Sequence, residues 1–171
     1  MAQGESARVI IGALSALALL AVAAPGPAAA AGEETGLKVP RFVSLHADRV
    51  NLRTGPGRRY PIDWVLTKKD MPVEIIAQFE HWRRVRAWDG TAGWVQQRMV
   101  GGKRFVVVAK GVQPLRQLPD PGSAIVARAE PGVVARLAEC RGPWCRVEAA
   151  DISGWMRRTE IWGVYPDETV P

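Results

Sequence analysis

From Trp82 the chain reads Trp-Arg-Arg-Val-Arg-Ala-Trp, and in an extended strand alternate side chains share a face. Trp82, Arg84, Arg86 and Trp88 then line one face, and Arg83, Val85 and Ala87 line the other, with Val85 turned to a core. An aromatic, two guanidiniums and a second aromatic in a row suit a ligand that joins a flat or sugar-like surface to carboxylates. Stacking and charge-assisted hydrogen bonds would hold it. The same residues have a plainer use, because a small sheet short of apolar area often packs a rim tryptophan under arginine stems.

Catalytic sets are hard to assemble. A cysteine nucleophile needs a histidine base, and a zinc site needs several His, Cys or carboxylate ligands. Both cysteines, Cys140 and Cys145, enclose Arg-Gly-Pro-Trp within one hairpin, while the only histidines are His46 and His81. Beyond residue 31 the only serines are Ser44, Ser123 and Ser153, and none stands in a nucleophile motif. The chain is expected to bind rather than to catalyse, with no cofactor and no metal.

Stepping outward from Trp82, its surroundings recur. Trp82-Arg-Arg-Val85 followed by Gly93-Trp94-Val95 returns as Trp144-Cys-Arg-Val147 followed by Gly154-Trp155-Met156. Upstream, Val50-Asn51-Leu52-Arg53 matches Val112-Gln113-Pro114-Leu115-Arg116. Three landmarks in one order, at a period of about sixty residues, are too long for a solenoid repeat and fit a small domain used twice.

The N-terminus has a different character. Arg8 precedes an apolar block from Val9 to Ala24, then Pro25-Gly26-Pro27 and Ala29-Ala30-Ala31, the order of a secretory signal with its small-residue cleavage site. The block is about sixteen residues against the roughly twenty of a membrane span, and no Cys follows it to carry a lipid. Residues 1–31 are therefore expected to be a signal peptide and residues 32–40 a disordered polar leader. The mature protein is expected to be periplasmic or extracellular, touching the membrane only through the uncleaved signal during export. In an oxidising compartment Cys140 and Cys145, flanking a Gly-Pro turn, read as a disulfide across a hairpin; a metal site would want further ligands nearby.

Charge is unevenly held. Residues 38–110 carry 15 Lys and Arg against 6 Asp and Glu, whereas residues 111–171 carry 7 against 8. A basic surface outside the cytoplasm meets carboxylates, phosphorylated polymers or lipid headgroups rather than nucleic acid.

The elements that must present these residues are strands. Short β-branched and aromatic runs broken by Gly, Pro and Asp predict a mostly β fold, with strands at 49–53, 63–66, 72–79, 82–88 and 93–95 and a single 3₁₀ turn within 96–100. The segment Thr54-Gly-Pro-Gly-Arg-Arg-Tyr-Pro61 cannot continue a strand and makes a long loop. Residues 103–110 lead into the second copy without a Pro- or Ser-rich linker, so the copies are expected to touch. There the strands fall at 125–127, 133–139, 145–149 and 155–156, and residues 161–165 are apolar enough to close the unit before Pro166.

Five short strands, a long Gly/Pro loop after the first, a tight hairpin opening on Trp and a Gly-Trp strand followed by a 3₁₀ turn resemble the bacterial SH3-like (SH3b) domain. Val50-Asn-Leu-Arg-Thr-Gly-Pro-Gly57, Trp82-x-x-Val85 and Gly93-Trp94-Val95 carry the likeness; the second copy keeps Leu115-Arg116, Trp144-x-x-Val147 and Gly154-Trp155 but lacks the Asn and the Thr-Gly-Pro-Gly segment. The resemblance implies two tandem small β-barrels, residues 41–104 and 105–166, in an exported protein that binds cell-wall peptide or glycan. An adaptor holding an extended peptide of another envelope protein is the alternative. It also implies that Arg53, Arg58, Arg59 and Tyr60 border the same groove as Trp82, Arg84, Arg86 and Trp88.

Overall fold

The computed structural model describes residues 36–171; the expected signal peptide and the first part of the leader lie outside the described residues. The first module is built of β1 (Arg41–Leu45), β2 (Val50–Arg53), β3 (Ile62–Leu66), β4 (Pro72–Phe79), β5 (Trp82–Arg86), β6 (Ala92–Gln96) and β7 (Val100–Gly101), with a 3₁₀ turn at Gln97–Met99. The second repeats it as β8 (Phe105–Val108), β9 (Gln113–Arg116), β10 (Ile125–Ala129), β11 (Val134–Arg141), β12 (Trp144–Ala149), β13 (Ile152–Arg157) and β14 (Ile161–Trp162), with a 3₁₀ turn at Arg158–Glu160. The fold is mostly β, as expected, and each module is one seven-stranded antiparallel sheet. The orders are β3-β2-β6-β5-β4-β1-β7 and β10-β9-β13-β12-β11-β8-β14, the same order twice.

The repeat extends to irregularities. The pairing of β4 with β5 slips between Ile75 and Ala77, and that of β11 with β12 between Leu137 and Glu139. Such bulges sharpen the twist that rolls a sheet onto itself. Each module has its own core, Val43, Leu45, Val50, Leu52, Val73, Ile75, Val85 and Val95 in the first, and Val106, Val108, Leu115, Leu137, Val147, Met156 and Ile161 among others in the second. Small aliphatic side chains dominate both, so each core is thin and other devices must help to hold it.

Seven strands replace the expected five. Residues 41–45 carry no alternation because Val43, Ser44 and Leu45 are all buried, β1 being paired on one side to β4 and on the other to β7. The chain also stays packed beyond Pro166: the Cys140 amide donates to the Val170 carbonyl at 2.9 Å, and Glu168 pairs with Arg104. Val39 packs against the first core. The modules do touch, through Phe42, Trp162 and Tyr165 and through Lys68, whose ammonium donates to the Gly132 carbonyl at 2.8 Å.

Candidate functional site

Strand pairing decides which outward side chains meet. Arg84 stands opposite Trp94, and Trp94 opposite Arg53; in the next row Trp82 stands between Phe79 and Gln96. A groove of about 370 Å³ opens beside Trp82, lined also by Arg49, Asn51, Arg53, Arg58, Gln96, Arg98 and Met99. It runs on into a hollow of about 480 Å³ that shares Arg58, Trp82, Gln96 and Arg98 and adds His81 and Gln97. Among the described residues neither part is lined by a carboxylate, and none of the four guanidiniums has a fixed counter-charge. Three amides, Asn51, Gln96 and Gln97, and a half-buried indole are also in the wall, a set able to stack on a flat face, bond amide or hydroxyl groups and fork onto carboxylates.

Of the eight residues singled out in the sequence, the structure gathers Arg53, Arg58 and Trp82 in this groove. Arg53 is partly committed, its Nη1 donating to the Tyr60 carbonyl at 2.7 Å and so stapling the loop between β2 and β3. Arg59 lies over the Tyr60 ring, 5.2 Å from its centroid, and the ring itself lies on the loop backbone. A Cβ on Gly55 would stand 2.5 Å from Tyr60 Cδ1, and one on Gly57 3.3 Å from Cδ2. The Thr-Gly-Pro-Gly signature therefore makes room for a tyrosine. Arg84 is exposed on the neighbouring row. Arg86 is held elsewhere, its Nη2 donating to Glu74 at 2.5 Å, and Trp88 lies past the end of β5, half-buried, outside the groove. The stripe of four splits because a strand of that length runs from one rim of the module to the other.

Arg49, Asn51, Gln96, Arg98 and Met99 were not foreseen. The signal for the first three was present: Arg49, Asn51 and Arg53 alternate with buried Val50 and Leu52, and Gln96 follows buried Val95, the same period of two that exposed the face of β5.

Arg83, on the core side of β5, is only 3% exposed. Its Nη1 donates to the Glu80 carbonyl at 2.7 Å and the Trp82 carbonyl at 2.8 Å, and its Nη2 to the Gln97 side chain at 2.7 Å. Glu80 has φ 45, the left-handed conformation that a two-residue hairpin turn demands, and Arg83 holds that turn closed. The repeat-equivalent pair to Gln78 and Arg83 is Cys140 and Cys145, joined by a disulfide with Cα atoms 4.0 Å apart, as the sequence led us to expect.

In the second module the face is the same but its indoles are covered, and the hollow of about 310 Å³ at the matching place is lined by Pro143, Arg157, Arg158, Thr159, Val164 and Pro166 without a tryptophan. Trp144 and Trp155, each 7% exposed, lie under Arg157, 4.9 Å from one ring centroid, and Arg141, 5.5 Å from the other. The residue matching Arg157 in the first module is Gln96, too short to cover an indole, so Trp82 stays open to a ligand.

A model of the family described as bacterial SH3 domain matches the chain twice, over residues 46–102 and 109–163. No curated protein matches. Among solved structures, NlpC2 of Trichomonas vaginalis is similar at 10% identity and TM-score 0.35, over 78% of this chain and 52% of that one. NlpC1 of the same organism is similar at 10% identity and TM-score 0.34, over 77% and 48%. The chain spans about half the length of these structures.

Proposed function

From the premise that the chain belongs to the bacterial SH3 domain family, in two tandem copies, we propose that it is a non-catalytic, exported binding protein whose first module holds an anionic component of the cell wall, peptidoglycan peptide foremost. The observation that carries this reading is the groove beside Trp82, walled by Arg49, Arg53, Arg58 and Arg98 and by no carboxylate. A peptide bearing free carboxylates supplies the missing counter-charge, its amides meet Asn51 and Gln96, and a sugar ring stacks on the indole. Export follows from residues 8–31, and the second module serves as the disulfide-pinned partner.

Retention on purified, protein-free sacculi tests the proposal. Full-length wild-type protein is expected to be retained, and retention should fall roughly tenfold or more in Arg58→Ala and Trp82→Ala, both groove residues of the kind that dominate binding energy, while Arg146→Ala on the second module is retained as wild type. Absence of retention at any ionic strength would eliminate wall binding and favour the adaptor. Mass spectrometry of the native N-terminus checks cleavage near Ala31.

A further inference from the structure

Because the halves are repeats, a surface employed in one has a counterpart in the other. In the first module, the outer face of β1 and β4 is covered by the end of the chain. Phe42 meets the Trp162 ring edge-on with centroids 4.9 Å apart and the Tyr165 ring at 4.5 Å. The Tyr165 hydroxyl donates to Glu74 at 2.9 Å, and Phe42 and Glu74 are cross-strand partners.

Their counterparts in the second module are Phe105 and Arg136, again cross-strand partners. Over them lies an open hollow of about 280 Å³ whose wall also includes Lys103, Arg104 and Leu137. The shape is repeated and the charge is inverted, since an acceptor carboxylate has become a guanidinium with two further cations beside it. Arg136 gives its Nε and Nη2 to Glu148, at 3.0 and 2.7 Å, which leaves its other amino group to a ligand. Arg104 is engaged by Glu168, yet its Nε–H has no acceptor among the described residues.

We propose that this face of the second module docks an extended segment of another protein that carries an aromatic side chain with a carboxylate close by. The aromatic enters against Phe105, as Tyr165 does against Phe42, and the carboxylate meets Lys103 and Arg136. A second copy of this chain is a poor source of that segment. Its own aromatic and acidic stretch, Trp162 to Glu168, is already seated on the first module, and lifting it would strip the Glu74 Oε1 of the Tyr165 hydroxyl and leave only Arg86 on Oε2. The proposal concerns a different module and a different face from the groove at Trp82 and stands or falls separately from it.

The probe is a synthetic peptide of the sequence of residues 162–168, Trp-Gly-Val-Tyr-Pro-Asp-Glu, titrated into the full chain and followed by amide chemical shifts. Saturable shifts at Phe105, Arg136 and Leu137 are expected. The double change Lys103→Gln and Arg136→Gln should weaken binding about tenfold, with circular dichroism checking that the fold is kept, and the same peptide with Asn and Gln for its acidic residues should bind as weakly. Shifts confined to Phe42 and Glu74 would mean that the peptide only displaces the chain's own end, and this overturns the proposal. So do an absence of saturable shifts, undiminished binding to the double variant, and self-association of the peptide-free chain through Phe105.

Discussion

The two modules solve the same mechanical problems with different chemistry. At the hairpin between the fourth and fifth strands, one places a buried arginine under the turn and the other a disulfide at the matching positions. Three rungs further, Glu74 pairs with Arg86 while Arg136 pairs with Glu148, the same cross-strand contact with its charges exchanged. On the outer face, Trp82 is half-buried but uncapped beside Gln96, and Trp144 is covered by Arg157. Core-facing positions hold the frame, so the outward rows are free to change. One copy leaves a tryptophan on the wall of its cavity, and the other covers its tryptophan with arginine.

The hairpin joint carries the largest difference that can be broken. Replacing Arg83 by Met leaves the Glu80 and Trp82 carbonyls without their donor, and losing hydrogen bonds from a buried charge is expected to cost roughly 2–3 kcal/mol. Reducing Cys140–Cys145 releases a ring of six residues, worth about 2 kcal/mol in the chain-entropy model. Amide exchange read strand by strand separates them: dithiothreitol should loosen β11 and β12 and leave β4 and β5 as they were, and Arg83→Met should do the reverse. Equal loosening of both modules by either treatment would show that the joints are not local.

A smaller effect tests the groove. Gln96→Arg imports the residue that seals the second module, and an arginine stacked on an exposed indole gains roughly 1 kcal/mol. The variant should shield Trp82 from acrylamide quenching and lower sacculus retention several-fold. Arg157→Gln should expose Trp144 to the quencher without adding retention, because no counterpart of Arg49 or Arg58 stands beside it. If Arg157→Gln creates a second retaining surface, the open cavity alone is what matters and the arginines are incidental.

Much of this frame was legible in the residues. Period-two alternation gave the faces of β5, and the recurrence of Trp, Gly-Trp and Leu-Arg gave two modules. A Cys pair around Gly-Pro gave the disulfide. The edge of the groove was harder to read, since it depends on how far a strand runs across a barrel: Trp82 and Trp88 share a face of one extended segment, yet they lie at opposite rims. Arg86 is set apart from the groove for a related reason. Its partner Glu74 is twelve residues away, and alternation along one strand says nothing of what the next strand sets opposite. The strand at 41–45 escaped because both its faces are covered, which erases the polar half of the pattern. The gathering of Trp162 and Tyr165 on Phe42 depends on the path of the chain after Gly163, where a side chain would collide with the Phe105 carbonyl.

The contact between modules gives the smallest and most specific effect. Burial pushes the Tyr165 hydroxyl well above its ordinary titration range, and the hydrogen bond to Glu74 pushes it further. Tyr165→Phe removes that bond and should cost about 1 kcal/mol at neutral pH. The pH dependence separates this bond from mere packing of the ring. The unfolded chain releases the tyrosine proton near pH 10, while the folded chain keeps it, so the stabilisation is complete below about pH 10 and is lost as pH rises toward the folded value, by at most about 1.4 kcal/mol per unit. Wild type and Tyr165→Phe, compared by urea unfolding, should therefore converge within about one unit above pH 10. On the acid side they should fall together. Burial alone would raise Glu168, but its bonds from Arg104 and the Tyr165 amide prevail and hold it below the usual carboxylate range, so its contribution, lost as pH falls, is common to both. A gap that persists unchanged to pH 11 would mean that the hydroxyl is not held against Glu74, and that Tyr165 acts at this contact through its packing on Phe42 alone.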